Sequence, residues 1–399
     1  MTTLFDSLLA PLDAETFFRD YFGKQHLHVK GTPERTAAIM TLAGLNSLMS
    51  MTSVWSPQTM KLFVDRNPVP VPDYCARSLA LGAEGTALRP DPDRVQDWIG
   101  KGASVILNDI DALAPGVRQL ANELQEATGG RSQANLYFSM SQRQAFGPHC
   151  DVHEVFAVHC NGEKVWNIYE NREDTPVNHP SFQFADEERA RRAGKVAEQV
   201  KMQPGDLLYI PRGRYHDALA SENGALHIAF GVTMPKALDL LGIIWEAAVQ
   251  DPALRADLPV KPDGAALAKV LKQIGGKVEK ILASKAAQQS AAKAVEDWPY
   301  EFKSYDLESR LGSAPPAPRA AGESFRVSKK VRVVQQNGRP ILTDGKQHVE
   351  VPRNIARQVS FIMSRDSVSA TTVKAQFPEM TDSAVAELIE NMKAMRAIA

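Results

Sequence analysis

The sequence predicts an α+β protein built around a small antiparallel β-barrel or sandwich. Between Ala134 and Met234, the short runs NLYFSM, EVFAVHC, KVWNIY, DLLYIP and LHIAFGV are punctuated by Gly, Asn and Pro, as barrel strands are. On either side the apolar spacing is helical or mixed. Towards the end, short strands stand beside three helices, which is the make-up of a winged-helix-like domain.

Composition excludes several classes. The 399 residues carry 46 Lys+Arg against 47 Asp+Glu, a formal net charge of −1, and 44% are hydrophobic. At about 150 residues per domain, that length suits two or three domains with ample core. The charge balance excludes a generally basic nucleic-acid coat and an acidic disordered chain. No apolar run reaches the roughly 18 residues of a transmembrane helix. The first apolar patch contains Asp6 and lacks a basic lead, unlike a secretory signal. Cys75, Cys150 and Cys160 are odd in number and lack CxxC spacing, which argues against a disulfide scaffold or structural zinc. The expected location is the cytoplasm.

The elements follow in order. Residues 13–23 form a capped helix with Phe17, Phe18 and Phe22 on one face. The apolar run Ala103–Leu107 precedes a helix that Pro115 starts and Leu120 and Leu124 continue. After the KVWNIY strand, residues 171–200 are polar enough to be an exposed insertion, helical around ADEERARRAG. Lys236–Gln250 is an apolar helix. Gly264–Trp298 is one or two longer helices, with Gly275-Gly276 as the expected break. Leu311–Gly322 is a linker by composition. The expected division is 1–235 for the barrel with its N-terminal extension, 236–310 for the helical region and 323–399 for the winged-helix-like domain. The last helix, Asp382–Met395, carries Asp382, Glu387 and Glu390 against Lys393, so it lacks the basic face of a DNA recognition helix. No direct DNA binding is expected.

The chemistry concentrates in GPHCDVHEVF and PGDLLYIPRGRYHDA. His149 and Asp151 are two apart, so on a strand both point to one face. His216 stands at a strand end and offers a third ligand. Two imidazoles and one carboxylate are the facial triad of non-haem Fe(II) oxygenases, which leaves positions open for O₂ and substrate. A lone H-x-D also suits a polar strand end, so register supplies the second argument. Asn161-Gly162 between apolar strands signals a type I′ hairpin, which would pair Cys160 with Glu163 and His159 with Lys164. Unless a bulge intervenes, Lys164 then shares a face with His149, Asp151, His153, Val155, Ala157 and His159. A lysine inside a small barrel needs an anion, and a dicarboxylate on the metal would serve. The competing reading is a lysine that snorkels to solvent. His227 either lines the pocket or is a hydrogen-bonded core histidine. His153 and His159 are lining or hydrogen-bonding groups. His179 should be exposed, and Cys150 should be core packing.

GDLLYIPRGRYH fits the second cupin motif, G-x5-P-x-G-x2-H, at every specified position from Gly205 to His216. Together with the HxD at 149–151, it resembles the JmjC-type Fe(II)/2-oxoglutarate oxygenases. NLYFSM before the HxD, Lys164 after it, and the domain order make it most similar to the ribosomal oxygenases. That resemblance implies a double-stranded β-helix barrel followed by a dimerisation-like helical region and a winged helix. It implies iron ligands at His149, Asp151 and His216. Lys164 would hold the distal carboxylate of 2-oxoglutarate, with Asn135, Tyr137 and His227 lining the pocket. The bacterial arginine hydroxylases of that family carry Arg at the Lys164 position, and the lysine resembles the histidyl hydroxylase branch. The implied partners are Fe(II), 2-oxoglutarate, O₂, a ribosomal protein as substrate and a second copy as homodimer. The alternatives are the same chemistry on another peptide or small molecule, N-methyl-lysine demethylation, or a non-catalytic cupin sensor acting as a transcription regulator.

Overall fold

A computed structural model describes residues 2–79, 86–140, 146–301, 307, 324–336, 339–344 and 348–398. The Leu311–Gly322 linker lies outside the described residues. The chain forms two compact units, 1–302 and 303–399.

The first unit opens with helices α1 (Leu4–Leu9) and α2 (Ala14–Asp20), strand β1 (Leu27–Val29), and helices α3 (Glu34–Ala37) and α4 (Leu42–Ser50). Next come β2 (Met60–Val64), β3 (Asn67–Pro68), α5 (Val71–Tyr74), β4 (Cys75–Leu79), β5 (Thr86–Pro90), α6 (Pro92–Gly100), β6 (Ser104–Leu107) and α7 (Pro115–Thr128). The barrel strands are β7 (Arg131–Ser139), β8 (Glu154–Arg172), β9 (Val196–Met202), β10 (Leu207–Ile210) and β11 (Arg214–Thr233), with α8 (Asp186–Ala193) between β8 and β9. Helices α9 (Leu241–Ala248), α10 (Gly264–Ala283) and α11 (Lys285–Glu296) close the unit.

One nine-stranded antiparallel sheet holds the barrel, in the order β1-β10-β8-β11-β7-β6-β2-β3, with β9 on β8. Alternation assigns its two faces. Phe156, Val158, Tyr209, Ile228 and Phe230 point outward into the core shared with Phe5 and Phe17 of α1 and α2. Phe17 meets Tyr209 edge-on at 4.9 Å. Val155, Ala157, Trp166, Ile168, Leu208 and Ile210 point inward. The capped ends follow the expected chemistry: Asp13 accepts from Thr16 N to start α2, and Pro115 occupies the first turn of α7, whose missing N–H costs nothing there.

Two expectations are corrected. Asn161-Gly162 is not a hairpin turn: β8 runs unbroken from Glu154 to Arg172. Its first half pairs with β10 and the far half of β11, and its second half with β9 and the near half of β11. Gly162 sits at φ 71°, and the β11 register slips opposite it between Ala220 and Ala225. An Asn-Gly pair permits positive φ in a bulge as readily as in a turn. Here it bends the strand and shifts its phase by one residue, so odd positions face inward before the bulge and even positions after it. Lys164 thus reaches the inner face by a bulge rather than a fold-back. In the helical region, α10 runs through Gly275-Gly276 and ends at Ser284, whose side chain caps α11. Glycine lowers helix propensity without forcing a stop, whereas Ser284 offers the N-cap acceptor that favours a new start.

The second unit contains β12 (Ser324–Arg326), β13 (Arg332–Gln336), β14 (Arg339–Thr343), β15 (His348–Glu350), α12 (Ala356–Met363), β16 (Ser367–Ser369), α13 (Ala370–Gln376) and α14 (Asp382–Ala394). β13, β14 and β15 form one sheet, and β12 pairs with β16. Val359, Ile362, Val373, Leu388 and Met392 fill its own core.

Candidate metal and anion site

The two motifs meet as a miniature ladder. His149 N donates to His216 O at 3.0 Å, and His216 N returns a bond to His149 O at 2.8 Å. One step away, Gly213 N donates to Asp151 O at 2.9 Å. This backbone pairing brings ligand atoms of His149, Asp151 and His216 within 4.8 Å of one another. The imidazoles are oriented by their inner nitrogens: His149 Nδ1 lies 2.9 Å from Gly147 O and His216 Nδ1 3.0 Å from Arg214 O. With Nδ1–H donated to a carbonyl, the Nε2 lone pair is the free one. His216 Nε2 stands 3.4 Å from Asp151 Oδ2.

The electrostatics keep His216 and Asp151 in their ligating protonation states. Burial, and then His149, push His216 down to about 4, so its ring is neutral. Burial opposes ionisation of Asp151, but His153, His216 and His149 outweigh it and hold the carboxyl below the usual range. Two imidazoles and a carboxylate fit a divalent cation of the first transition row.

The cluster opens into a cavity of about 340 Å³ whose wall includes Asn135, Tyr137, His153, Lys164, Trp166 and His227. Lys164 is buried, and burial pushes its ammonium down to about 7. Its Nζ lies 3.5 Å from His227 Nδ1. Burial, then Lys164 and His159, hold His227 well below its ordinary value, leaving a neutral ring. Tyr137 stacks on His227 at 4.8 Å and 9°. Among the described residues no carboxylate pairs with Lys164, so the cavity holds a cation at one end and the metal-ligand set at the other. A buried lone cation is costly unless an anion joins it.

The structure therefore brings His149, Asp151, His216, Lys164, Asn135, Tyr137 and His227 together around one cavity. His153 lines it too, its ring lying on Gly231, where an added Cβ would come within 2.7 Å of the ring. His159 is buried beside the cavity, its Nε2 3.1 Å from Gly162 O. His179 is exposed. The arginines of α8 are engaged locally: Arg191 and Arg192 bond Glu188, and Arg192 also bonds Glu173. Sequence reasoning did not single out Trp166, which lies 5.8 Å from His216 and 5.3 Å from His227 between ring centroids. Its signal was its position two residues after Lys164, hence on the same face.

Residues 112–240 match the sequence profile of the JmjC domain family. Over 264 residues the chain is 29% identical to the bifunctional lysine-specific demethylase and histidyl-hydroxylase NO66 of Drosophila persimilis, covering 63% of this chain and 36% of that protein. It is 26% identical over 272 residues to ribosomal oxygenase 2 of Bos taurus, covering 64% of this chain and 54% of that protein. The chain thus spans between about a third and half the length of these curated relatives. A solved structure of the Escherichia coli ribosomal oxygenase YcfD, in complex with cobalt and 2-oxoglutarate, superposes with a TM-score of 0.47 at 16% identity, covering 98% of each chain. The barrel of this chain is a JmjC domain, and the chain is a relative of the ribosomal oxygenases.

Proposed function

We propose that this protein is an Fe(II)- and 2-oxoglutarate-dependent oxygenase that hydroxylates a side chain of a protein, and that the protein is ribosomal. The carrying observation is Lys164, a buried cation with no acidic partner among the described residues, lining one cavity with a His-Asp-His set. A cavity lined by both groups suits a dicarboxylate with one end at the metal and the other at the ammonium. Bound there, iron with 2-oxoglutarate and O₂ supplies the oxidising equivalent that inserts oxygen into a substrate C–H bond, with succinate and CO₂ as co-products. The chain's own part is to position and shield. His149, Asp151 and His216 would hold the metal. The Gly147 and Arg214 carbonyls fix the imidazole tautomers. Lys164 neutralises the distal carboxylate, and Tyr137 and Trp166 wall the pocket against water.

The relatives named as ribosomal oxygenases and histidyl-hydroxylases support a protein substrate. The helical region supports a homodimer, because Leu241 (52% exposed), Trp245 (70%) and Leu271 (66%) leave apolar faces that a second copy would cover. The three-stranded sheet, the β12–β16 pair and the three helices of the second unit support a winged-helix-like module, and the acidic residues of α14 favour a protein contact over DNA. Three free thiols suit the cytoplasm.

The test is succinate release from 2-oxoglutarate with Fe(II), with and without a ribosomal protein extract, followed by a search for a 16 Da mass gain (roughly one oxygen atom). Release that the extract stimulates, with the mass gain on a ribosomal protein, is the expected result. Metal binding with no release at all would favour the sensor reading.

A further inference from the structure

We propose that Asp109 is a substrate-binding carboxylate at the mouth of the cavity, where it takes a lysine or arginine side chain of the peptide whose target residue enters the barrel. This rests on the oxygenase reading and adds the chemistry of its substrate.

Strand β7 gives the cavity its depth scale. Asn135 and Tyr137 are half-buried, Tyr137 stacking on the buried His227; Gln133 is exposed, so its end of the strand is the mouth. Asp109 is attached at the two outer positions. Gln133 Nε2 donates to Asp109 Oδ1 at 3.0 Å, and Asp109 N donates to Asn135 Oδ1 at 3.2 Å. Both partners line the cavity. Asp109 sits at φ 57°, in the left-handed region, at a cost of about 1 kcal/mol for a residue other than glycine. The chain holds it there with its carboxylate exposed, one oxygen fixed by Gln133 and the other, Oδ2, without a bonded partner among the described residues. Among the described residues no lysine or arginine pairs with it. A fixed carboxylate beside an open cavity selects a cationic neighbour of the reacting residue and sets the direction in which the peptide lies.

Asp109→Asn isolates the charge. Asparagine tolerates the left-handed conformation and keeps an oxygen for Gln133. Binding is read by anisotropy with a fluorescein-labelled octapeptide alternating glycine and arginine, and with its glutamate counterpart. The wild type should bind the arginine peptide more tightly, and salt should weaken that binding. Asp109→Asn should weaken it about fivefold and flatten the salt dependence. In succinate assays the variant should need about fivefold more ribosomal protein for half-maximal stimulation. Asp109→Gly removes the same carboxylate while relieving the left-handed strain, so it should lose the same affinity and melt higher, which separates lost recognition from lost folding. Equal peptide binding and equal stimulation in wild type and Asp109→Asn would overturn the proposal. Absence of turnover in both proteins would sink the oxygenase reading instead, and anisotropy would still decide Asp109.

Discussion

Lys164 Nζ lies 3.5 Å from His227 Nδ1, a buried ammonium against a buried neutral imidazole, and that contact leaves the cation's charge uncompensated. A pocket arranged this way is poised for an anion and carries the cost of waiting for it.

Co-substrate affinity should therefore depend on pH with a defined sign. Burial places the Lys164 ammonium at about 7 in the ligand-free protein. Below that pH the charge is already present; above it, binding an anion must first take up a proton. The dissociation constant for 2-oxoglutarate, measured calorimetrically with Mn(II) in the site, should be flat on the acid side and rise up to about tenfold per pH unit above pH 7. An affinity constant from about pH 6 to pH 9 would contradict this.

Ligand-free stability should carry the opposite mark. The folded value of about 7 lies below the ordinary lysine value of 10.5, so between them the unfolded chain binds the extra proton and stability rises with pH. Lys164→Met should remove that slope, stabilise the ligand-free protein by a few kcal/mol near neutral pH, and abolish the thermal protection given by 2-oxoglutarate. Melting curves across pH for both proteins decide the point, and a variant less stable than wild type at every pH would refute it.

Gly162→Ala should be severe. An added Cβ would lie 2.1 Å from Gly224 O, and φ there is 71°. The left-handed conformation alone costs about 1–2 kcal/mol, and the clash adds to it. The melting midpoint should fall, and binding of 2-oxoglutarate should weaken because the bulge sets the face on which Lys164 emerges. Wild-type stability in this variant would mean that the strand does not bend there.

Much of this was legible beforehand because alternation and motif spacing are local. The H-x-D spacing singles out His149 and Asp151, although an isolated bridge to His216 rather than a strand brings them together, and the Gly205–His216 motif places the third ligand. What escaped was decided by contacts distant in sequence. Asn161-Gly162 encodes positive φ, but only Gly224 across the sheet makes it a bulge in a continuous strand rather than a turn. His227 read equally as core or pocket until Tyr137, paired with it across β7 and β11, fixed its place. Asp109 carried no sequence signal, since its role depends on Gln133 and Asn135, more than twenty residues later.

Metal binding should collapse without the carboxylate. Asp151 supplies the single anionic ligand of the set, and even partners one step removed from a metal alter affinity by about 10–100-fold. Asp151→Ala should thus weaken Co(II) binding, followed by its visible absorption, by more than about 100-fold. Its far-ultraviolet circular dichroism should stay unchanged, because the Gly213–Asp151 bond uses backbone atoms. Unaltered Co(II) affinity would move the metal elsewhere.

The most direct measurement is single-turnover succinate formation by wild type and His149→Ala, each with Fe(II), O₂ and 2-oxoglutarate. The His-Asp-His and Lys164 geometry predicts succinate from the wild type, more of it with ribosomal protein present, and none above background from the variant. Equal succinate from both proteins, or none from a wild type with bound metal, would contradict the oxygenase assignment.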